Sequence, residues 1–360
     1  MSGLPEAAAT ERFDAVQAGL RCPACGGQRA YDAGAQALAC ASCGGREAVV
    51  VTEDEIAAAA AERCFDTAAP GEDEPPEVDH AHLCETCGGE VVFVGRALSE
   101  RCPYCDGPVV LRAGHAAYAP SAVIPFAVDE AAARQLARDW IARRWAAPGD
   151  LGTAVEGGRF AGLYAPFWTF DSVHRVSYNA RRKLRVGGRK RRWEPTSGTV
   201  QLRFDDRLMP ASAHVTPLIR DAILHAFSPD RLRPCRAAFL AGFAAELPGQ
   251  TVRAGFESNL RDMRVLVERR IRRDIGRAYS VRDIRYSGSP SSVRYRRVLL
   301  PVWIAHYRHR DRPMKVVVSG LDGRTFGERP FSRRKLLALS ALVAVPAFLF
   351  GVIGGIAMAP

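Results

Sequence analysis

"CETCGGEVVFVGRALSERCPYC", residues 84–105, carries two Cys-x-x-Cys pairs separated by fourteen residues. Sixty-two residues earlier, "CPACGGQRAYDAGAQALACASC", residues 22–43, repeats that spacing. Two residues between cysteines make a tight knuckle in which both sulfurs face one ion. Glycine directly after a knuckle lets the backbone turn without a Cβ clash. Gly26, Gly44 and Gly88 hold that place, while Asp106 then Gly107 follow Cys105. The fourteen-residue interval suits a β-hairpin that returns the second knuckle to the first, with turns expected at Asp32–Gly34 and near Gly95. The spacing predicts two zinc ribbons, at 21–47 and 81–112, each closing four thiolates tetrahedrally on Zn²⁺. The predicted ligands are Cys22, Cys25, Cys40 and Cys43, then Cys84, Cys87, Cys102 and Cys105. Four protein thiolates leave no open coordination position, so both ions are expected to be structural. His80 and His82 precede a ligand set that is already complete. Cys64 and Cys235 stand alone, without a neighbouring base to activate either thiol.

Outward from the ribbons, the charge divides sharply. The chain of 360 residues has a net charge of +11. Residues 1–120 hold 8 Arg/Lys against 19 Asp/Glu, and the remainder holds 42 against 20. The front is therefore acidic and the back strongly basic, which favours a polyanionic partner for the back. Residues 1–20 form an N-terminal segment without the features of a signal peptide. Residues 48–80 read as an acidic linker. It starts with a capping-box helix at Thr52 and Glu55 and then becomes Pro-rich and extended, leaving the ribbons mobile relative to one another.

Residues 116–331 read as a basic α+β domain with a mainly antiparallel sheet, because strands and helices come in blocks without βαβ alternation. A helix is expected after Asp129. Another is expected with Leu260, Met263, Val267, Ile271 and Ile275 on one face. Strands are expected in "RRVLLPVWIAHYRHR", "PMKVVVSG" and "RTFGERP". The densest charge lies at 181–192, with Arg181, Arg182, Lys183, Arg185, Arg189, Lys190, Arg191 and Arg192 around a Gly187–Gly188 turn. This basic hairpin is the expected anion-binding element, for anionic lipid or for nucleic acid, and the neighbouring Trp193 suits either. Asp205 and Asp206 are expected to point to opposite sides of a strand, which makes a poor acid/base pair.

Residues 336–360, "LLALSALVAVPAFLFGVIGGIAMAP", contain no charge. As a helix they would extend about 37 Å, more than a hydrocarbon core of about 30 Å. The expectation is one C-terminal transmembrane helix. Arg333, Arg334 and Lys335 set the upstream chain on the cytoplasmic side, giving a tail-anchored, single-pass protein with a cytoplasmic N-terminus. Gly351 and Gly355 form a small-xxx-small pair suited to a homodimer.

The strings "CPYCDGPVV", "VIPFAVDEAAARQLARDWIARRWAAP", "GLYAPFWTFDS", "RFDDRLMPAS" and "LLPVWIAHYRHRDRPMKVVVSGLDGRTFGERP", with the hydrophobic tail, resemble a bacterial family of zinc-ribbon membrane proteins. Its members are labelled transcription-factor-IIB-type zinc-ribbon proteins, or relatives of primosomal protein N′ (replication factor Y), a superfamily II helicase. The resemblance covers about residues 84–345. It implies zinc at Cys84, Cys87, Cys102 and Cys105 and association with the bacterial inner membrane. It implies no established reaction. After the "PFWTF" strand, where that family carries a Tyr/Thr/Gly-type segment, this chain carries the arginine-rich hairpin.

No G-x-x-x-x-G-K-[ST] string is present, and neither is His-Glu-x-x-His or Gly-x-Ser-x-Gly. Helicase activity is accordingly not expected. The functional expectation is a non-enzymatic, zinc-binding, membrane-anchored adaptor whose ribbons recruit a cytoplasmic protein partner. The alternative is a membrane-tethered nucleic-acid-binding protein related to primosomal zinc-ribbon proteins.

Overall fold

The computed structural model describes residues 20–66, 77–93, 101–115, 120–186, 190–212, 214–215, 217–224, 226–310, 312–328 and 330–357. In chain order the first ribbon has β1 (Arg29–Asp32), β2 (Ala37–Cys40) and β3 (Arg46–Ala48). Next come α1 (Glu53–Ala60) and β4 (Arg63–Cys64), then the second ribbon with β5 (Glu77–Cys84), β6 (Glu90–Phe93) and β7 (Val109–His115). β8 (Ala122–Val123), α2 (Glu130–Ala142) and α3 (Leu151–Glu156) lead into β9 (Arg159–Val186) and β10 (Lys190–Pro210). After these lie α4 (Pro217–Ile223), β11 (Arg233–Pro234), α5 (Ala237–Leu240), β12 (Ala244–Glu246) and α6 (Val252–Ile275). The chain ends with β13 (Ser280–Ser287), β14 (Pro290–His309), β15 (Arg312–Ser319), β16 (Thr325–Gly327) and α7 (Arg333–Ala357).

Local chemistry sets the helix starts. Thr52 Oγ1 accepts from the Glu55 amide while the Glu55 carboxylate accepts from the Thr52 amide, so the capping box forms as expected. Asp129 caps α2 through a 2.7 Å bond from the Ala132 amide. Thr251 caps α6 in the same way. In α6, Met263, Val267, Ile271 and Ile275 are buried and Leu260 packs against the same cluster, as their spacing requires.

β14 and β9 pair antiparallel over fifteen residue pairs and form the centre of the large sheet. The sheet is mainly antiparallel, with parallel pairing only at β12–β9 and β14–β8 among the described residues. Residues 295–305 of β14 are all buried, so this strand is covered on both sides. On one face, Val298, Leu300, Val302 and Ile304 pack with Phe93, Cys102 and Tyr104 of the second ribbon and with α4. On the other, Leu299, Trp303 and Ala305 pack with Tyr31 of the first ribbon and with α2. The two ribbons therefore cover opposite faces of one strand pair. They are docked to a common body, in place of the separate mobile modules the linker suggested. The second ribbon also extends the sheet itself, through β6 against β12.

Beyond this body, the distal halves of β9 and β10 continue as a long arm, with β13 on the other side of β9. α6 covers one face of the arm through Val176, Tyr178, Ala180, Val200 and Phe204.

At the C-terminus, the expectation of a transmembrane helix over 336–360 is corrected. Among the described residues no helix is long and apolar enough to cross a membrane. α7 begins with Arg333, Arg334 and Lys335, and its described side chains end at Pro346. The tail-anchored, single-pass placement in a bacterial inner membrane falls with that expectation. The side-chain surroundings of Gly351 and Gly355, the expected dimer pair, lie outside the described residues.

Candidate functional site

Each cysteine quartet converges. In the first, Cys22 and Cys43 Sγ lie 3.6 Å apart, and Cys25 and Cys40 lie 3.5 Å apart. In the second, Cys84–Cys105 is 3.4 Å and Cys87–Cys102 is 3.7 Å. Within each quartet all four sulfurs lie within 4.8 Å of one another. A tetrahedron of Zn–S bonds near 2.3 Å has edges of about 3.8 Å, so the donor type and the spacing both fit. The two clusters are positioned to bind two zinc ions. Their cysteines are free thiols, not disulfides.

The thiols of a quartet shift in opposite directions: burial raises Cys87 to about 11, and at Cys25 the Gly27 amide is outweighed by hydrogen bonds with Cys40 and Cys43, which raise it to about 12. Amides of Cys43 and Ser42 hold the Cys40 thiol down at about 6. Burial opposes a similar effect at Cys84, where the Cys87 and Thr86 amides still bring the thiol to about 7. Gly26, Gly44 and Gly88 adopt φ of +72° to +74°, the left-handed turn their position demands. Asp106, in the corresponding place, takes φ +62°. Its carboxylate then serves a second purpose: Arg159 Nη1 donates to it at 2.6 Å and ties the knuckle to β9.

Further bonds dock the second ribbon. His306 Nε2 lies 2.6 Å from the Pro103 carbonyl, so this nitrogen carries the proton and donates. The Tyr104 hydroxyl donates to Glu246 on β12, Ser212 Oγ donates to the same carboxyl group at 2.6 Å, and His214 stacks on the Tyr104 ring at 4.6 Å. Burial raises the Glu246 carboxyl to about 7, against the two hydrogen bonds. This buried node escaped sequence reading because its members are far apart in the chain. The first ribbon docks more lightly. The Tyr31 amide donates to Ala241 O at 2.9 Å, and Gln36 Nε2 donates to Phe126 O at 2.7 Å. Its hairpin turns as expected, with Asp32 Oδ1 accepting from the Gly34 and Ala35 amides.

The remaining candidates separate. His82 packs edge-on against Phe93, outside the ligand set, and the His80 side chain lies outside the described residues. Cys64 is exposed on β4, while burial lifts Cys235 to about 11 and makes it an inert thiol. Asp205 pairs with Arg203 at the surface, and Asp206 turns at a bulge to meet Arg296 at 2.6 Å.

The basic run becomes the distal part of the arm. Trp193 lies opposite Lys183, and Pro195 opposite Arg181, on β10 and β9. Arg282 of β13 lies opposite Arg181 from the other side. Directly opposed residues share a face. Arg175, Ser177, Asn179, Arg181, Lys183 and their partners therefore form the face that α6 does not cover. Arg175, Arg181, Arg282 and Arg285 are exposed on it. The Arg282 guanidinium sits 4.1 Å from the Trp193 ring centroid and Lys183 Nζ sits 5.5 Å away. Arg182 points to the α6 side, over Tyr279. Arg185, Lys190 and Arg191 lie on paired strands, and Arg192 is exposed. Arg189 and the Gly187–Gly188 turn fall outside the described residues.

The chain is 25% identical over 242 residues to YdjG of Bacillus subtilis (strain 168), itself described as uncharacterized. The match covers 64% of this chain and 70% of YdjG. No family model matches the chain, and no solved structure matches it.

Proposed function

We propose that this chain is a non-enzymatic, zinc-built binding protein that holds single-stranded nucleic acid along the open face of its arm. The observation that carries the reading is the Trp193 ring set between Lys183 and Arg282 on an uncovered, cation-lined sheet face. A flat sheet with an aromatic ring and flanking cations can stack a base and track a phosphate backbone at once. Arg282 pairs with Asp283 at 3.4 Å on the exposed bulge, too weak a pair to neutralise the face. The arginine excess over residues 121–360 supplies long-range attraction. The resemblance to zinc-ribbon proteins of replication agrees with this class of partner. In this reading the zinc ions fix the body from which the arm projects and take no part in chemistry, since each is enclosed by four thiolates. Use of the ribbons as handles for a protein partner has less support, because both ribbons pack against the body.

The test is binding of the full chain to oligothymidylate and to duplex DNA, followed by fluorescence anisotropy across a salt series. The single strand is expected to bind more tightly, with log affinity falling linearly in log salt by about 0.7 per phosphate neutralised. Trp193→Ala is expected to weaken it by about 1–3 kcal/mol. Binding to anionic vesicles with none to either nucleic acid would reject the proposal, and so would equal affinity of the unmodified chain and the Trp193→Ala variant for the strand.

A further inference from the structure

At the distal end of α6 the chain makes a tight return. Gly276 ends the helix at φ +114°, and the Tyr279 amide donates back to the Gly276 carbonyl at 3.1 Å. The return leaves a cleft of about 250 Å³ lined by Arg272, Arg273, Gly276, Arg277, Tyr279 and Val281. Three of its six lining residues are arginines and none is an acid. Arg272 is fixed by a 2.7 Å bond from Nη1 to the Val281 carbonyl. Arg182 reaches the Tyr279 ring from β9, with its guanidinium 5.3 Å from the centroid. Three cations thus line one small concavity, and a fourth stacks on its Tyr279. The last carbonyls of α6 carry a partial negative charge equivalent to about half an elementary charge, which the three arginines more than offset. Asp274, in the last turn, accepts from Tyr178 Oη at 2.7 Å and is not among the lining residues.

We propose that this cleft binds a phosphate monoester, the terminal phosphate of a nucleic-acid strand, with the adjoining sugar or base against Tyr279. The cleft is smaller than the ~300–1,000 Å³ of pockets for drug-sized ligands, so it suits a compact group. Guanidinium forks match phosphate oxygens bidentately, and several forks favour the dianion of a terminal phosphate over the monoanion of an internal diester. The cleft lies on the α6 side of the arm, opposite the Trp193 face. A strand that runs along that face and turns over the β13 edge would bring its end here. The proposal rests on the nucleic-acid reading for the identity of the strand, but the phosphate chemistry stands by itself.

The experiment compares three probes on the full chain: an oligothymidylate of about 12 nucleotides with a terminal phosphate, the same strand without it, and inorganic phosphate. The phosphorylated strand is expected to bind about tenfold tighter, and Arg273→Gln with Arg277→Gln is expected to close that gap. Both arginines are exposed, and unchanged thermal unfolding of the variant shows that the fold is intact. Tyr279→Leu, which keeps all the cations, is expected to reduce the preference without removing inorganic phosphate binding. Equal affinity of the two strands for the unmodified chain overturns the proposal. Loss of all strand binding, with phosphate still bound and the double glutamine variant abolishing it, removes the nucleic-acid reading and leaves the cleft a phosphate site.

Discussion

Glu246 shows how one residue can link a metal module to a sheet. It is buried on β12, receives the hydroxyls of Tyr104 and Ser212, and has its carboxyl raised from 4.5 to about 7. An acid whose folded value is raised stabilises the fold fully below its unfolded value and loses that contribution as pH rises through the folded one. Stability should therefore fall between about pH 4.5 and 7, by about 3 kcal/mol in all. Glu246→Gln cannot ionise and should flatten that decline. Urea unfolding across this window with zinc in excess checks it, and an identical slope in wild type and variant would mean that Glu246 titrates normally. No member of this node stands out in the sequence, although Tyr104 sits inside a knuckle. Glu246 lies 142 residues away, and nothing local marks a buried carboxyl. The cysteines are the opposite case. Their ligand chemistry is encoded within four residues, so every one of the eight was legible.

At the scale of elements, α6 was readable because its apolar residues recur at helical spacing and need only one neighbour to bury them. What it packs on was not readable. Gly255 faces the Trp168 ring so closely that an added Cβ would sit 2.4 Å from Cε3 and Cζ3. Gly255→Ala should cost about 1–3 kcal/mol from overpacking, although alanine favours the helix by ~1 kcal/mol. Gly152 of α3 has open space around the same position, and Gly152→Ala should be neutral or stabilising by up to about 1 kcal/mol. Thermal melts of the two variants separate propensity from packing. A neutral Gly255→Ala would mean that α6 can move away from Trp168. The paired basic strands of the arm were expected, but their length was not. β9 and β10 span 28 and 21 residues, far beyond the usual strand of 3–10, and nothing local in the sequence fixes how far a hairpin continues. The C-terminal segment erred the other way. Its hydropathy alone suggested a crossing helix, whereas among the described residues no helix is long and apolar enough to cross a membrane.

For the whole molecule, the duplication gains a reason from position. The quartets are alike in sequence spacing, but they stabilise opposite sides of the β14–β9 pair and are tied to it unequally. The second ribbon adds strands to the large sheet and buries Cys84 and Cys102 at 1% and 0% exposure. The first ribbon keeps its own three-stranded sheet and leaves Cys25 and Cys43 exposed. Zinc should therefore leave in two kinetic phases of equal amplitude when the chain meets a chromogenic chelator, the fast phase from the first quartet. Cys22→Ser should remove the fast phase and spare most of the main unfolding transition. Cys102→Ser should remove the slow phase and lower that transition, because metal binding energy at a site fused to the sheet is folding energy for the sheet. One phase accounting for a single equivalent would remove the two-centre reading. Two phases with the variants reversed would mean that the first ribbon, not the second, holds the body together.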